Sequence, residues 1–261
     1  MNILLSGLPG NVASELATVI EQHTDFLVYP YGLTGKDGPR TYKSYTLLRP
    51  TEREEFDFSA VDCAVDFTHP DAVIPNANFY CRKNIPFVMG TSGGDREALE
   101  KIVLNAQIPV VIAQNMSCEV VALQAMIEYA AEQFPNIFSN FSLDIFESHQ
   151  QSKADTSGTA KSMIRYFNQM GISFDQSLIR MMRDPGVQRA YGIPEEHLRG
   201  HAWHTYTLKS PDESITLGFT HNVCGRNTYV AGTLAAVRFL GKRISEGATG
   251  MYSMIDVLHE G

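Results

Sequence analysis

The stretch 2-NILLSGLPGNVASELATVIEQH-23 decides the fold class. Asn2 to Ser6 is a short apolar run of strand type, and Gly7 and Gly10 then frame a tight turn. Beyond it, Val12, Leu16, Val19 and Ile20 recur at helical spacing. A strand, a glycine turn and a helix start form a cradle for phosphate: glycine lets the backbone approach the anion, and the first helical N–H groups face it. The spacing is G-x-x-G-x-x-A, with Ala13 at the close-packing position, and not the full G-x-G-x-x-G fingerprint. A glycine turn without a ligand therefore stays open at this point.

The residues that follow repeat the pattern. The run 26-FLVYPYGL-33 reads as a second strand that Pro30 ends early or bends. No acidic residue stands at its end to take an NAD ribose hydroxyl; the chain reads Leu33, Thr34, Gly35, Lys36. The hydroxyl of Thr34 and the cations Lys36, Arg40 and Lys43 suit a 2′-phosphate, which favours NADPH over NADH, although each lysine taken singly is equally a solvated loop residue. Strand-like runs at 61–67, 85–90 and 108–113 end in 66-DFTHP-70, 90-GTSGG-94 and 113-AQNMS-117. In an open α/β sheet, ligands bind at the carboxyl ends of the strands, where these turns would gather. Three such turns together with the glycine turn point to a dinucleotide site.

The second half has a different rhythm. A long helix is expected from Met116 to about Phe134, carrying the chain out of the first domain. The run 141-FSLDIFE-147 alternates, putting Phe141, Leu143 and Ile145 on one face of a strand expected to stop at Glu147. Then comes 147-ESHQQSKADTSGTAKS-162, in which His149 and Lys153 are expected between strand and helix. Thr156 or Ser157 is a capping residue for a helix with apolar positions Ala160, Ile164, Phe167 and Met170, closed by Gly171. N–H groups at Gly158 and Thr159 suit an anion, lysine adds a mobile charge and a proton, and histidine titrates near neutral pH. An ordinary capped helix behind a polar loop is the alternative reading. The runs 201-HAWHTYTL-208 and 214-SITLGFTHNV-223 form a hairpin across 209-KSPDE-213, and Arg226 follows as a fixed cation suited to a carboxylate. His197, His201 and His204 invite a metal reading, but Gly200 breaks any helix joining the first two, and His201 and His204 fall on opposite faces of a strand; no metal is expected. Two helix-like segments, 229–244 and 250–259, close the chain and are apolar enough to pack back onto the first domain.

Composition agrees with an ordinary globular protein. The 261 residues carry 44% hydrophobic and 19% charged side chains, enough for two domains with cores. A net charge of −8 argues against a nucleic-acid or anionic-membrane binder, and no run approaches the ~20 apolar residues that span a bilayer. Cys63, Cys81, Cys118 and Cys224 lie far apart, which fits free buried thiols better than a disulfide framework. The start MNILLSGLPG lacks the features of a signal or transit peptide.

Taken together, GLPGNVA, VDFTHP, MGTSGG, AQNMS, the E-x-H-x-x-x-K-x-D-x-S-G-T-A pattern at 147–160, and HNVCGR ahead of YVAGT resemble the dihydrodipicolinate reductase family of lysine biosynthesis. The resemblance covers nearly the whole chain and is nearest to the plant-type branch, as in 191-YGIPEEHLRGHAWHTYTLKSPDESI-215. It implies an α/β fold: a Rossmann-like dinucleotide-binding domain over 1–116 completed by 227–261, and a smaller α+β substrate and oligomerisation domain over 117–226 with an open mixed sheet. It further implies reduction of a cyclic unsaturated dicarboxylate, 4-hydroxy-tetrahydrodipicolinate, by NADPH or NADH. His149 and Lys153 match the proton-handling residues, Gly158 and Thr159 the carboxylate binders, and Arg226 a family arginine near the pocket. Gly7, Gly10, Asn11, Val12, Phe67, Thr68, Gly90, Thr91, Ser92, Ala113 and Asn115 fall on cofactor loops, with Thr34 and Lys36 beside them.

The chain departs from the common bacterial pattern in two places. Gln150 replaces a second histidine, so it can hydrogen-bond substrate but not titrate, and Thr156 replaces a proline. A homodimer or homotetramer is expected, as is a bacterial cytoplasmic setting, or plastid stroma if a leader was removed. A related NADP-dependent reductase of another small carboxylate, and a nucleotide-sensing protein without the chemistry, are the competing readings.

Overall fold

Ile3, Leu4 and Leu5 are fully buried in the first strand, β1 (Asn2–Ser6), as in a parallel sheet covered on both faces. The computed structural model describes residues 1–22, 25–153 and 156–260. Two compact units divide the chain: Met1–Cys118 with Tyr229–Gly261, and Glu119–Thr228.

In the first unit β1 is followed by α1 (Asn11–Ile20), β2 (Leu27–Val28), β3 (Tyr31–Leu33), β4 (Thr41–Tyr42), β5 (Tyr45–Leu48), α2 (Pro50–Arg53) and β6 (Cys63–Asp66). Then come α3 (Val73–Arg82), β7 (Phe87–Met89), α4 (Arg96–Leu104) and β8 (Pro109–Ile112). The sheet runs β8-β7-β6-β1-β3-β5-β4, parallel except for the β4–β5 pair, with β2 also on β1. α1 buries Ala13, Leu16, Ala17 and Ile20, and the core beneath α3 and α4 is built on Phe58, Phe79, Tyr80 and Phe87. The strand expected over 26–33 is two pieces, because Pro30 has no N–H for the ladder; β2 pairs with Asn2 and Ile3, and Leu33 with Ser6.

In the second unit α5 (Cys118–Gln133) leads into β9 (Ser142–His149), α6 (Gly158–Gln169), β10 (Arg180–Met182), α7 (Pro185–Ala190), β11 (His201–Lys209) and β12 (Thr216–Cys224). The strand order is β10-β9-β11-β12, with β10 parallel to β9 and the other pairs antiparallel: an open mixed sheet. One face packs Ile145, Tyr206 and Leu208 against Ala160, Met163 and Phe167 of α6. β9 does not stop at Glu147. Ser148 and His149 pair with Trp203 and Ala202, so the nine-residue partner β11 draws two more residues into the ladder.

The chain then returns to the first unit through α8 (Asn227–Ser245), which buries Val230, Leu234, Val237 and Leu240. The helix expected over 250–259 begins later. Gly250–Tyr252 is instead a strand, β13, parallel to β8, and a Ser253/Asp256 capping box starts α9 at Met254 (Met254–His259). Of the four free cysteines only Cys63 is fully buried; Cys224 is exposed because it sits on the outward face of β12, where alternate residues meet solvent. No helix among the described residues is long and apolar enough to cross a membrane.

Candidate active site

The four loops singled out in the first half stand at one edge of the parallel sheet. Phe67 N–H donates to Ser6 C=O (3.1 Å), Gly90 N–H to Asp66 C=O (2.9 Å) and Ala113 N–H to Met89 C=O (3.0 Å), so each turn begins one residue past a ladder that is still paired. Gly7 has φ +103°, and a Cβ there would lie 2.0 Å from the Phe67 carbonyl oxygen. Only glycine allows GLPG to lie against DFTHP so closely. A Cβ on Gly90 would come 2.4 Å from the Phe67 ring, which closes the third turn onto the second. Gly10 is the N-cap of α1 and makes no side-chain cap, so the opening N–H groups of the helix, at Asn11 and Val12, meet no capping side chain. This backbone cradle fits the pyrophosphate of a dinucleotide.

A residue not singled out from the sequence organises the cradle. Asp66, fully buried at the end of β6, accepts hydrogen bonds from the hydroxyls of Thr68 (2.7 Å), Thr91 (2.8 Å) and Tyr80 (2.8 Å) and from Asn76 Nδ2 (2.8 Å). Asn76 is in turn held by Arg53 (2.7 Å), and Thr68 N–H donates to Thr91 Oγ1 (2.7 Å). The hydroxyls of Thr68 and Thr91 thus tie DFTHP to GTSGG. The visible signal was an aspartate ending an otherwise apolar strand. Ser92 is exposed, Ala113 is buried, and Asn115 Oδ1 accepts the Ser117 N–H (2.9 Å).

The cations expected near a 2′-phosphate separate. Arg40 is paired with Glu52, and Lys43 Nζ donates to the Thr18 hydroxyl (2.9 Å) beside Glu21 (3.8 Å). Lys36 is exposed and makes no ion pair with a described residue, and Thr34 is buried at the end of β3.

In the second unit His149 ends β9 and is buried, while Lys153 and Gln150 are half-buried in the connection, where Lys153 N–H donates to Gln150 C=O (2.9 Å). Asp155 of the sequence pattern lies outside the described residues. Ser157 occupies the N-cap of α6, but its hydroxyl makes no cap; its N–H instead donates to Glu147 Oε2 (3.1 Å). Gly158 and Thr159 follow in the first turn, Thr159 buried. Glu147 is fully buried and paired with Arg183, and lies 3.7 Å from His149 Nδ1 and 3.7 Å from His204 Nε2. Burial alone would raise its carboxyl, but the nearby His149 ring and the hydrogen bonds from Arg183 and the Ser157 N–H outweigh this and hold it at about 2. For His149 burial dominates and pushes the imidazole below its usual value, with Glu147 opposing; His204 is pushed well below by burial and its neighbours His221 and His149.

Arg226, expected near the carboxylate site, donates to the Arg199 carbonyl (2.6 Å), and Arg183 is the guanidinium on the Glu147–His149 pair. Nothing in the spacing around Arg183 marked it; the contact arises from the parallel pairing of β10 with β9. His201 and His204 do fall on opposite faces. His201 contacts Ser148 Oγ (2.8 Å), whereas His204 stacks on His221 at 4.5 Å. Glu147, His149 and His204 bring ligand atoms within 4.8 Å of one another, and the carboxylate among them is also paired with the Arg183 guanidinium.

Comparison with known proteins places the chain. The family description "Dihydrodipicolinate reductase, N-terminus" matches residues 1–116, and "Dihydrodipicolinate reductase, C-terminus" matches residues 119–258. The chain belongs to the dihydrodipicolinate reductase family. It is 44% identical to 4-hydroxy-tetrahydrodipicolinate reductase 1, chloroplastic, of Arabidopsis thaliana, over 100% of this chain and 78% of that protein. It is 48% identical to reductase 2, chloroplastic, of the same plant, over 81% of this chain and 63% of that one. A dipicolinate-bound dihydrodipicolinate reductase from Paenisporosarcina sp. TG-14 shares the fold at a TM-score of 0.67 and 16% identity, covering 97% of each chain. As a member of this family, the chain is an oxidoreductase that uses a nicotinamide dinucleotide, which the backbone cradle of the first unit fits.

Proposed function

We propose that the chain reduces 4-hydroxy-tetrahydrodipicolinate to tetrahydrodipicolinate with NADPH and a proton in lysine biosynthesis, the 4-hydroxyl leaving as water. The observation that carries this reading is the grouping of His149, ionised Glu147 and the start of α6 beside the connection that bears Lys153, in a chain 44% identical to a reductase of that name. The cofactor supplies the hydride. Gly7, Gly10, Asn11 and Val12 hold its pyrophosphate, with Phe67, Thr68, Gly90, Thr91, Ser92, Ala113 and Asn115 shaping the adjoining turns. Thr34 and Lys36 favour a 2′-phosphate, because Lys36 is the cation of the 34–43 loop that no described acid neutralises.

Gly158 and Thr159 bind a substrate carboxylate at the start of α6, where the helix dipole favours an anion. Arg226 offers a second fixed cation, and Gln150 a hydrogen bond. Lys153 supplies the proton that completes the reduction. His149, which burial shifts toward the neutral form, accepts or returns that proton. The names of the plant relatives favour plastid stroma over a bacterial cytoplasm, and a homo-oligomer is the expected assembly.

The test is oxidation of NADPH by the purified protein with freshly generated 4-hydroxy-tetrahydrodipicolinate. Turnover that falls when Lys153 is replaced by alanine supports the reading; cofactor binding without turnover in the wild type overturns it.

A further inference from the structure

The register of the second sheet lines up Glu147 of β9, His204 of β11 and His221 of β12 in one row across three strands, on the face covered by α6. A carboxylate buried this deeply costs several kcal/mol unless its charge is matched, so the groups around it are informative. Besides His204 in that row (3.7 Å), its close partners belong to the connection between β9 and α6 or hold that connection. His149 Nδ1 stands at its beginning, 3.7 Å from Oε1. The Ser157 N–H stands at its end, 3.1 Å from Oε2. Arg183, paired with Oε1, donates through Nε to the backbone carbonyl of Lys153 (2.8 Å) in the middle. Gln188 of α7, fully buried, fixes the same strand end by donating to the His149 carbonyl (2.7 Å).

We infer that Glu147 and Arg183 are positioning residues: the carboxylate orients the His149 ring, and the Glu147–Arg183 pair clamps the 149–157 connection so that Lys153 is presented in one place. The inference rests on the proposed roles of His149 and Lys153. A carboxylate 3.7 Å from Nδ1 favours the proton on that nitrogen electrostatically and leaves Nε2 for the substrate, a looser form of the orienting carboxylate of a catalytic imidazole. Neither residue needs to touch substrate.

His149 is surrounded by Glu147 on its own strand, Lys153 in the connection, Arg183 after β10, His201 and His204 on β11, and His221 on β12. Glu147 is the one acid in this group among the described residues, so its removal moves the titration of His149 to lower pH.

The experiment compares Glu147→Gln, Arg183→Lys and Arg183→Ala with wild type, His149→Gln, Lys153→Ala and the exposed-strand control Asp144→Asn. Steady-state kinetics are measured across pH, and His149 is titrated by NMR. Glu147→Gln and Arg183→Ala are expected to lower kcat by roughly 10²-fold, the loss typical of a misplaced reacting group, with the KM for NADPH unchanged. Glu147→Gln also shifts the His149 titration downward, and added guanidinium partly restores Arg183→Ala. Arg183→Lys, which keeps the charge but not the fork to Glu147 and the Lys153 carbonyl, remains impaired. An unchanged kcat in both Arg183 variants, or an unmoved His149 titration in folded Glu147→Gln, overturns the inference. If Glu147→Gln does not fold, the two Arg183 variants and guanidinium rescue decide the matter. Full activity in His149→Gln and Lys153→Ala would instead overturn the underlying assignment of the catalytic pair, which separates the two failures.

Discussion

At the scale of single residues, the chemistry divides between groups that handle protons and groups that hold phosphates. Replacing Lys153 with alanine or His149 with glutamine is expected to lower kcat by about 10²–10⁴-fold while NADPH binding, measured by fluorescence titration, stays near wild type. Lys36 is argued from what its neighbours lack: Arg40 and Lys43 lie beside Glu52 and Glu21, and Lys36 has no described acid. Lys36→Ala should therefore raise the KM for NADPH about tenfold, ~1.4 kcal/mol, and leave the KM for NADH within twofold. Equal effects on both cofactors would remove the 2′-phosphate from the account.

At the scale of elements, a buried carboxylate at a strand end recurs in each unit. Asp66 closes β6 and ties the DFTHP and GTSGG turns together, and Glu147 near the end of β9 contacts both ends of the connection to α6. Asp66→Ala leaves the donors of Thr68, Thr91, Asn76 and Tyr80 unmatched. It should cost ~2–4 kcal/mol in urea unfolding and raise the KM for cofactor, since each orphaned buried donor costs ~1–3 kcal/mol and some relax. Periodicity made most elements legible. The glycine turn, the strand ends and the helix after Ser157 follow from patterns of two and 3.6 residues together with glycine and proline positions. What periodicity did not reach were features set by partners distant in sequence. β9 reaches His149 because β11 is long enough to pair there, β13 exists because β8 offers an edge, and Arg183 meets Glu147 through a parallel pairing of β10 with β9. Ser157 takes the N-cap position, but its hydroxyl makes no cap, and its N–H donates to Glu147, a residue ten positions back. Gly7, by contrast, was legible because its φ of +103° belongs to the turn itself, although the Phe67 carbonyl that also excludes a side chain there is distant in sequence.

At the scale of the whole molecule, burial of titratable groups gives the fold a pH dependence. Burial first, and His149 next, push the His221 imidazole from 6.5 down to about 4; burial likewise lowers His204 and His149. In the unfolded chain these groups bind protons at their ordinary value, so below pH 6.5 the unfolded state holds more protons and stability falls as pH falls toward 4. Glu147, held at about 2, adds a further loss between its ordinary 4.5 and that value. Denaturation between pH 7 and 4 should show this slope, and His221→Gln should flatten it; a variant with the wild-type slope would show that His221 titrates as in the unfolded chain. The C-terminal segment belongs to the same scale. It contributes Val230, Leu234, Val237 and Leu240 to the core of the first unit, so a chain ending at residue 228 should lose cooperative unfolding and NADPH binding.

In the proposed reaction the bound cofactor delivers hydride to 4-hydroxy-tetrahydrodipicolinate, and His149 and Lys153 deliver the proton. The most direct measurement is the rate of NADPH oxidation with freshly generated substrate, for wild type and Lys153→Ala side by side at saturating cofactor. The account predicts steady turnover by the wild type and a kcat at least ~10²-fold lower in a folded Lys153→Ala protein that still binds NADPH. A wild-type protein that binds NADPH without turnover, or a Lys153→Ala protein that turns over at the wild-type rate, would contradict it.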